Sequence, residues 1–385
     1  MTAPDPGRAS PLALTATPLP TLVSEDPTLK KDHSNDAIED GPEEDVRTST
    51  WKRVVKKYQK PALGRATWQL VNTIVPYVLL WCLMYWSVGV SYWLTVPLAV
   101  VAGAFLVRVF IIFHDCGHGS FFKSKKANTI LGFITGVLTL TPYQQWRSEH
   151  ALHHATSGDL DRRGTGDVWT LTVNEYLAAS RSKRLAYRLS RNPFVLFVLG
   201  PLFLFLIKQR FPSRQASAPE RYSVLGTNLA ILAMAILLSW LLTFKAYLLI
   251  QLIVMMVAGS AGIWLFYVQH QFEGVYWERR AAWDYTSAAL QGSSFYKLPR
   301  VLQWFSGNIG YHHIHHLSPR VPNYHLEKCH HADPIFQEVK PVTLFSSFKS
   351  LTFRLWDEQR NRLVGYSVLR TVRREQRAAA RRQQL

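Results

Sequence analysis

Four stretches of this 385-residue chain are long and apolar enough to cross a bilayer, and they constrain everything else in it. They run from about Trp68 to Val88, Ser91 to Phe113, Val224 to Leu242 and Ala246 to Val268. Each is close to the ~20 residues that a helix needs to span the hydrocarbon core. Their one charged side chain is Arg108, read either as snorkelling to the interface or as bridging to a nearby carboxylate. Pro76 is tolerable in a membrane helix. A short turn near Gly89 joins the first two runs, and Thr243 to Lys245 joins the last two. The chain is therefore expected to be an all-α integral membrane protein with four transmembrane helices in two hairpins. The hairpin turns carry only Lys245, although the net charge is +18. The positive-inside rule then puts both termini and the central region in the cytoplasm. Asn128–Leu140 and Pro193–Ile207 are apolar but too short to span, which suits re-entrant or interfacial segments.

The flanks are polar. Residues 1–46 are rich in Pro, Ser, Thr and acids and are expected to be a disordered arm. No basic segment there leads into an apolar one, so no secretory signal is read. The membrane unit is expected over residues 47–355, followed by a basic tail over 356–385 that is arginine-rich from Gln359. Topology explains the positive charge without nucleic acid, for which no recognition fold is present. Cys82, Cys116 and Cys329 are scattered and odd in number, which argues against both disulfides and a thiolate metal cage. Cys116 reads as a small buried side chain.

The polar regions hold three histidine clusters: His114 and His118; His150, His153 and His154; and His312, His315 and His316. On a helix, positions i, i+3 and i+4 share one face, so each cluster aims its imidazoles one way. Together they hold eight of the chain's fourteen histidines, more than a single zinc uses. Two metal ions fit them better. Nitrogen-rich ligation without thiolate is compatible with iron, copper or zinc. The clusters lie up to about 200 residues apart, but the topology puts all three in a cytoplasmic helical cap, where they can converge. A redox-active pair beside a membrane suggests oxygen chemistry on a lipid chain. A histidine-rich transporter is disfavoured, because transport sites usually lie near the midplane and these clusters sit at the ends of spans.

The sequence resembles the membrane-bound fatty acid desaturases over about Trp51 to Phe353. The resemblance rests on His-Asp-Cys-Gly-His at 114–118 and two His-x-x-His-His boxes at 150–154 and 312–316, with spans in the family's order. It is nearest to the acyl-lipid Δ12 (omega-6) type, from His-Asp-Cys-Gly-His-Gly-Ser-Phe-Phe and Gly-Asn-Ile-Gly-Tyr-His-His-Ile-His-His-Leu. It implies a non-haem diiron centre that uses O2 and two external electrons to place a cis double bond in an acyl chain. Membrane diiron hydroxylases and ketolases share this box logic and are the alternative. The eight box histidines carry over as ligands. His270, just after the fourth span, matches the family's further histidine as a ninth.

The family's asparagine four residues before that histidine is replaced by Phe266, and Asn308 is the substitute considered. Asp115, Asp159, Asp161 and Asp167 are candidates to accept hydrogen bonds from ligand imidazoles. His313 points away from His312 and suits a supporting or surface role, and His325, His330 and His331 read as surface histidines. A membrane-lipid acyl chain is the implied substrate. No cytochrome b5 segment or cysteine cluster is fused to the chain, so electrons are expected from a separate ferredoxin or cytochrome b5-like donor.

Overall fold

A computed structural model describes residues 44–164 and 166–382, so most of the expected N-terminal arm lies outside the described residues. The chain runs through helix α1 (Glu44–Tyr58), the long helices α2 (Leu63–Val88) and α3 (Tyr92–His118), then α4 (Lys125–Leu138) and α5 (Tyr143–Thr156). After strand β1 (Leu171–Thr172) come α6 (Val173–Ala178), α7 (Arg181–Ser190) and α8 (Gly200–Leu206). The second pair of long helices is α9 (Ala218–Leu242) and α10 (Phe244–His270). Then follow α11 (Tyr285–Leu290), β2 (Phe295–Lys297), α12 (Arg300–Phe305), α13 (His312–Leu317) and α14 (Asn323–His330). Strands β3 (Pro341–Thr343), β4 (Leu355–Asp357) and β5 (Arg362–Val364) lead to the last helix, α15 (Val368–Arg382).

The four long helices are those expected from the apolar runs, and each passes the length and composition test for a membrane span. Only residues 89–91 separate α2 from α3, and only Thr243 separates α9 from α10. Helix α3 packs between α2 and α10, its Tyr77–Met84–Leu106–Ile250 core dry and apolar. Gly103 permits the close approach of α3 to α10: a Cβ there would lie 2.7 Å from Cβ of Val257. Outward-facing Trp68, Leu79 and Trp86 of α2 and Leu229, Ile236 and Trp240 of α9 remain exposed, as lipid-facing side chains do. The apolar residues after Asn192 do not form a straight span, because the α7 segment and residues 195–210 meet at a 68° bend.

Three expectations are corrected. The chain is mostly helical but not all-α, because β1, β4 and β5 form one small sheet and β2 pairs with β3 in another. These strands are two or three residues long, too short for a periodic sequence signal. The boundary expected after residue 355 falls inside β4, whose Leu355 pairs with Leu171 and Val364. The start of the basic tail is thus part of the fold.

The third correction is Arg108, which is buried rather than snorkelling and meets no carboxylate among the described residues. Its Nε donates to Thr73 Oγ1 at 3.1 Å and its Nη1 to the carbonyl of Trp304. The guanidinium lies over the Trp304 ring, 4.0 Å from the centroid. It thereby ties α2 and α3 to α12. A lysine keeps the charge but cannot bridge and stack in this way. Arg108→Lys is expected to destabilise the detergent-solubilised protein by about 1.5–3 kcal/mol, the range for hydrogen bonds to charged groups. Thermal unfolding checks this, and an unchanged midpoint contradicts the bridging role.

Candidate metal centre

Each histidine cluster sits where a helix carries it past the apolar part of the fold. Helix α3 continues through His114 to His118 and stops there because Gly119 takes a left-handed conformation, φ +67°. Helix α5 carries His150, His153 and His154. It is pinned to α3 by the Tyr143 hydroxyl, which donates to the carbonyl of Cys116 at 2.6 Å. Cys116 itself is a buried packing residue beside Phe113 and Tyr143. His270 is the last residue of α10. The next residue back, Gln269, donates to the carbonyl of Ile309 at 2.9 Å and fixes the approach to α13. Helix α13 then presents His312, His315 and His316 on one face.

These segments bring nine imidazoles together in two groups. Ring nitrogens of His114, His118, His150, His154 and His315 all lie within 4.8 Å of one another, as do those of His153, His270 and His316. His312 joins the second group, its Nε2 3.0 Å from Nε2 of His270. Neighbouring Nε2 atoms are 3.1 Å apart for His114 and His150, 3.1 Å for His150 and His154, 3.0 Å for His154 and His315, and 3.2 Å for His153 and His270. Two nitrogens at right angles on one ion, with bonds of ~2.1 Å, would be about 3.0 Å apart.

The tautomers sharpen this fit. His114 Nδ1 is 3.2 Å from Asp115 Oδ1, and His153 Nδ1 is 2.7 Å from Asp167 Oδ1. An ionised carboxylate only accepts, so each Nδ1 is the donor, and in the tautomer this selects the lone pair is at Nε2, which faces the cluster. Burial, followed by the crowding of other imidazoles, holds His150, His154, His312, His315 and His316 well below the usual histidine range. These rings are neutral at neutral pH, the form that binds metal. Nε2 of His118 and of His316 is buried without a hydrogen-bond partner among the described residues. Convergent lone pairs and orphaned nitrogens are what a pair of cations would satisfy.

The other expected supporting residues divide. Asp115 and Asp167 sit against the cluster. Asp159 instead holds Arg162, its Oδ2 2.5 Å from Nε, and Asp161 accepts from Arg279 Nη1 at 2.6 Å. Their loop lies against residues 278–280, so arginines rather than imidazoles take these carboxylates. Asn308 Oδ1 accepts from Gln303 at 3.1 Å, in a tight turn with φ +59°, and its recorded bonds lead to no histidine. Phe266 packs its ring 4.9 Å from that of His270 and 5.2 Å from that of His153, making this side of the centre apolar. His313 stays outside both groups but is fully buried, 3.1 Å from Nδ1 of His330. His330 is therefore a core residue rather than a surface one, while His331 is exposed.

Sequence reading missed Asn323. Its backbone N–H and its Nδ2 donate to Asp115 Oδ2 at 2.7 and 2.8 Å, and its Oδ1 accepts from Gln69 at 3.0 Å. Asparagine at the start of a short helix reads as a cap, and its partner lies 208 residues away. Trp146 also went unnoticed; it stacks on His150 with ring centres 4.4 Å apart.

A cavity of about 390 Å³ reaches His114, His150 and His312 from the membrane side, with walls that include Leu106, Phe110, Phe205, Met255 and Phe266. Glu149, Asp167 and Lys208 are the charged side chains that line it.

Two substitutions test this geometry. His270→Ala is expected to lower bound metal and turnover together while the protein still inserts and folds, and full metal occupancy would place His270 outside the centre. Asn323→Ala, which frees Asp115 to turn, is expected to weaken metal binding about 10- to 100-fold, the usual effect of removing a ligand's support. Unchanged affinity in a chelator competition contradicts that role.

The "Fatty acid desaturase" family model matches residues 91–344, a range that takes in all three histidine boxes. A fatty acid desaturase of Bacillus subtilis is 53% identical over 319 residues, covering 83% of this chain and 90% of the relative. An sn-1 acyl-lipid omega-3 desaturase (ferredoxin) of Synechocystis is 28% identical over 264 residues, covering 63% of this chain and 66% of the relative. An sn-1 oleoyl-lipid 12-desaturase of the same organism is 27% identical over 254 residues, covering 63% and 70%. The family match and the Bacillus relative, both spanning the segments that gather the imidazoles, make this chain a member of the fatty acid desaturase family.

Proposed function

We propose that the nine histidines, His114, His118, His150, His153, His154, His270, His312, His315 and His316, hold two iron ions, and that the protein uses them to desaturate the acyl chain of a membrane lipid. The observation that carries this reading is the meeting of the two imidazole groups with the end of an apolar cavity. Bound there, iron supplies the activation of O2 by two electrons that side chains cannot provide. In the balanced reaction, a –CH2–CH2– pair loses two protons and two electrons, in sum two hydrogen atoms, and becomes a cis double bond. One O2 takes those, two external electrons and two protons, and leaves as two waters.

The chain's own residues position and shield. Asp115, held by Asn323, and Asp167 fix the rings of His114 and His153. Phe110 and Phe266 keep the cavity wall dry, which limits side reactions of the oxidised site. Glu149 and Lys208 give the polar end of a lipid a place in the cavity wall. The two short connections support an arrangement of the spans as two hairpins, and the charge distribution supports a cytoplasmic side for both termini and the histidine-bearing cap.

Two relatives are named as ferredoxin-dependent, and this chain carries exposed basic residues at Lys52, Arg53, Lys56 and Lys57 of α1 and at Arg370, Arg373 and Arg374 of α15. Such a surface steers an acidic electron carrier, and steering weakens with salt.

Expression in a host without desaturases, with mass spectrometry of its lipids, is expected to yield acyl chains lighter by two hydrogens. Hydroxylated or keto products would move the protein to the related oxygenases. With purified components, reduction by an acidic ferredoxin is expected to slow as ionic strength rises, and a rate independent of salt would leave the arginines to topology and lipid contact.

A further inference from the structure

The cavity that ends on the histidines continues along α10. Its wall there is formed by α10 residues between Gln251 and Gln269, among them Gly259 and Gly262, the two that carry no side chain. A Cβ built on Gly262 meets nothing within 4 Å, whereas one on nearby Gly259 would lie 2.8 Å from Cβ of Pro201. Gly259 is small so that α8 can pack. Gly262 has no such neighbour, and glycine inside a helix costs about 0.5–1 kcal/mol relative to alanine. What its missing side chain leaves is cavity.

Its depth matches an acyl chain. Gly262 lies eight residues before His270, ~12 Å along the helix at ~1.5 Å per residue. One leaflet's chains fill half of a ~30 Å hydrocarbon core, about 15 Å. A chain with its reacting carbons at the histidines reaches Gly262 when ~12 Å of it lies on the methyl side of those carbons. The polar end of the lipid belongs with Glu149 and Lys208, so the methyl-side segment is the part that passes.

We propose that Gly262 is a specificity-determining position: the gap it leaves admits the methyl-side segment and sets how many carbons lie between the new double bond and the chain's end. This rests on the reading of the site as an acyl-chain desaturase. A larger side chain at 262 stops the methyl end short and brings carbons nearer that end to the histidines.

The test compares wild type, Gly262→Ala and Gly262→Leu in a host supplied with saturated chains of graded length. Double-bond positions are read by mass spectrometry and iron is measured on each purified protein. Gly64→Leu is the control, because it also adds a side chain into open space but lies away from the cavity. Gly262→Leu is expected to shift the ratio of products from long and short chains, or of double bonds nearer to and farther from the methyl end, by about tenfold or more toward the short or methyl-proximal product, the scale of a misfit in an apolar pocket. Gly262→Ala is expected to shift it the same way by less, and it carries the test if the leucine variant does not accumulate. An unchanged distribution, or an equal loss across all lengths with iron retained, overturns the proposal. A wild-type chain that forms no double bond overturns the desaturase reading and this proposal with it.

Discussion

Buried imidazole lone pairs crowded this closely have to be met by positive charge, and the whole structure is arranged around that requirement. Asp115 and Asp167 turn the N–H of His114 and His153 away from the cluster, so the facing nitrogens cannot all be paired by hydrogen bonds between rings. Protonating the rings is opposed by burial. Two metal ions would meet the nitrogens that remain. The nitrogens also fall into two sets rather than one, which is why a binuclear centre is the economical reading of the geometry.

The membrane helices supply the rigidity that such a centre needs. Helices α3 and α10 pack against each other along their length, and both end in histidines of the cluster. Their histidines are thus set by the same packing that Gly103 allows. The remaining histidine-bearing helices, α5 and α13, are short and depend on tethers. Tyr143 fixes the first to α3, and Tyr285 supports the second by donating to the carbonyl of His316 at 2.8 Å. The apolar cavity follows from the same arrangement, since the helices that hold the histidines also form its walls.

Much of this was legible in the sequence because it is periodic. The spans show as uncharged runs, and the boxes show because residues three and four apart share a helical face. Their convergence followed from charge asymmetry between loops. What was not legible depends on partners distant in the chain. Asn323 looks like an ordinary cap until Asp115 is brought to it, and Arg108 looks like a snorkelling residue until the Trp304 ring and carbonyl arrive. His330 looks exposed until α14 folds its inner face onto His313. Asp159 and Asp161 failed in the opposite sense, because their loop meets arginines that a sequence pattern does not place. The strands that draw residues 355–364 back to β1 are too short to announce themselves.

The central claim is that these segments build one binuclear iron centre. Its most direct measurement is the metal content of purified protein that is turning over lipid, by elemental analysis against a quantitative protein assay. About two iron atoms per chain are expected, one for each group of ring nitrogens. Stoichiometric zinc without iron in an active preparation, or a single iron per chain at full activity, would contradict it.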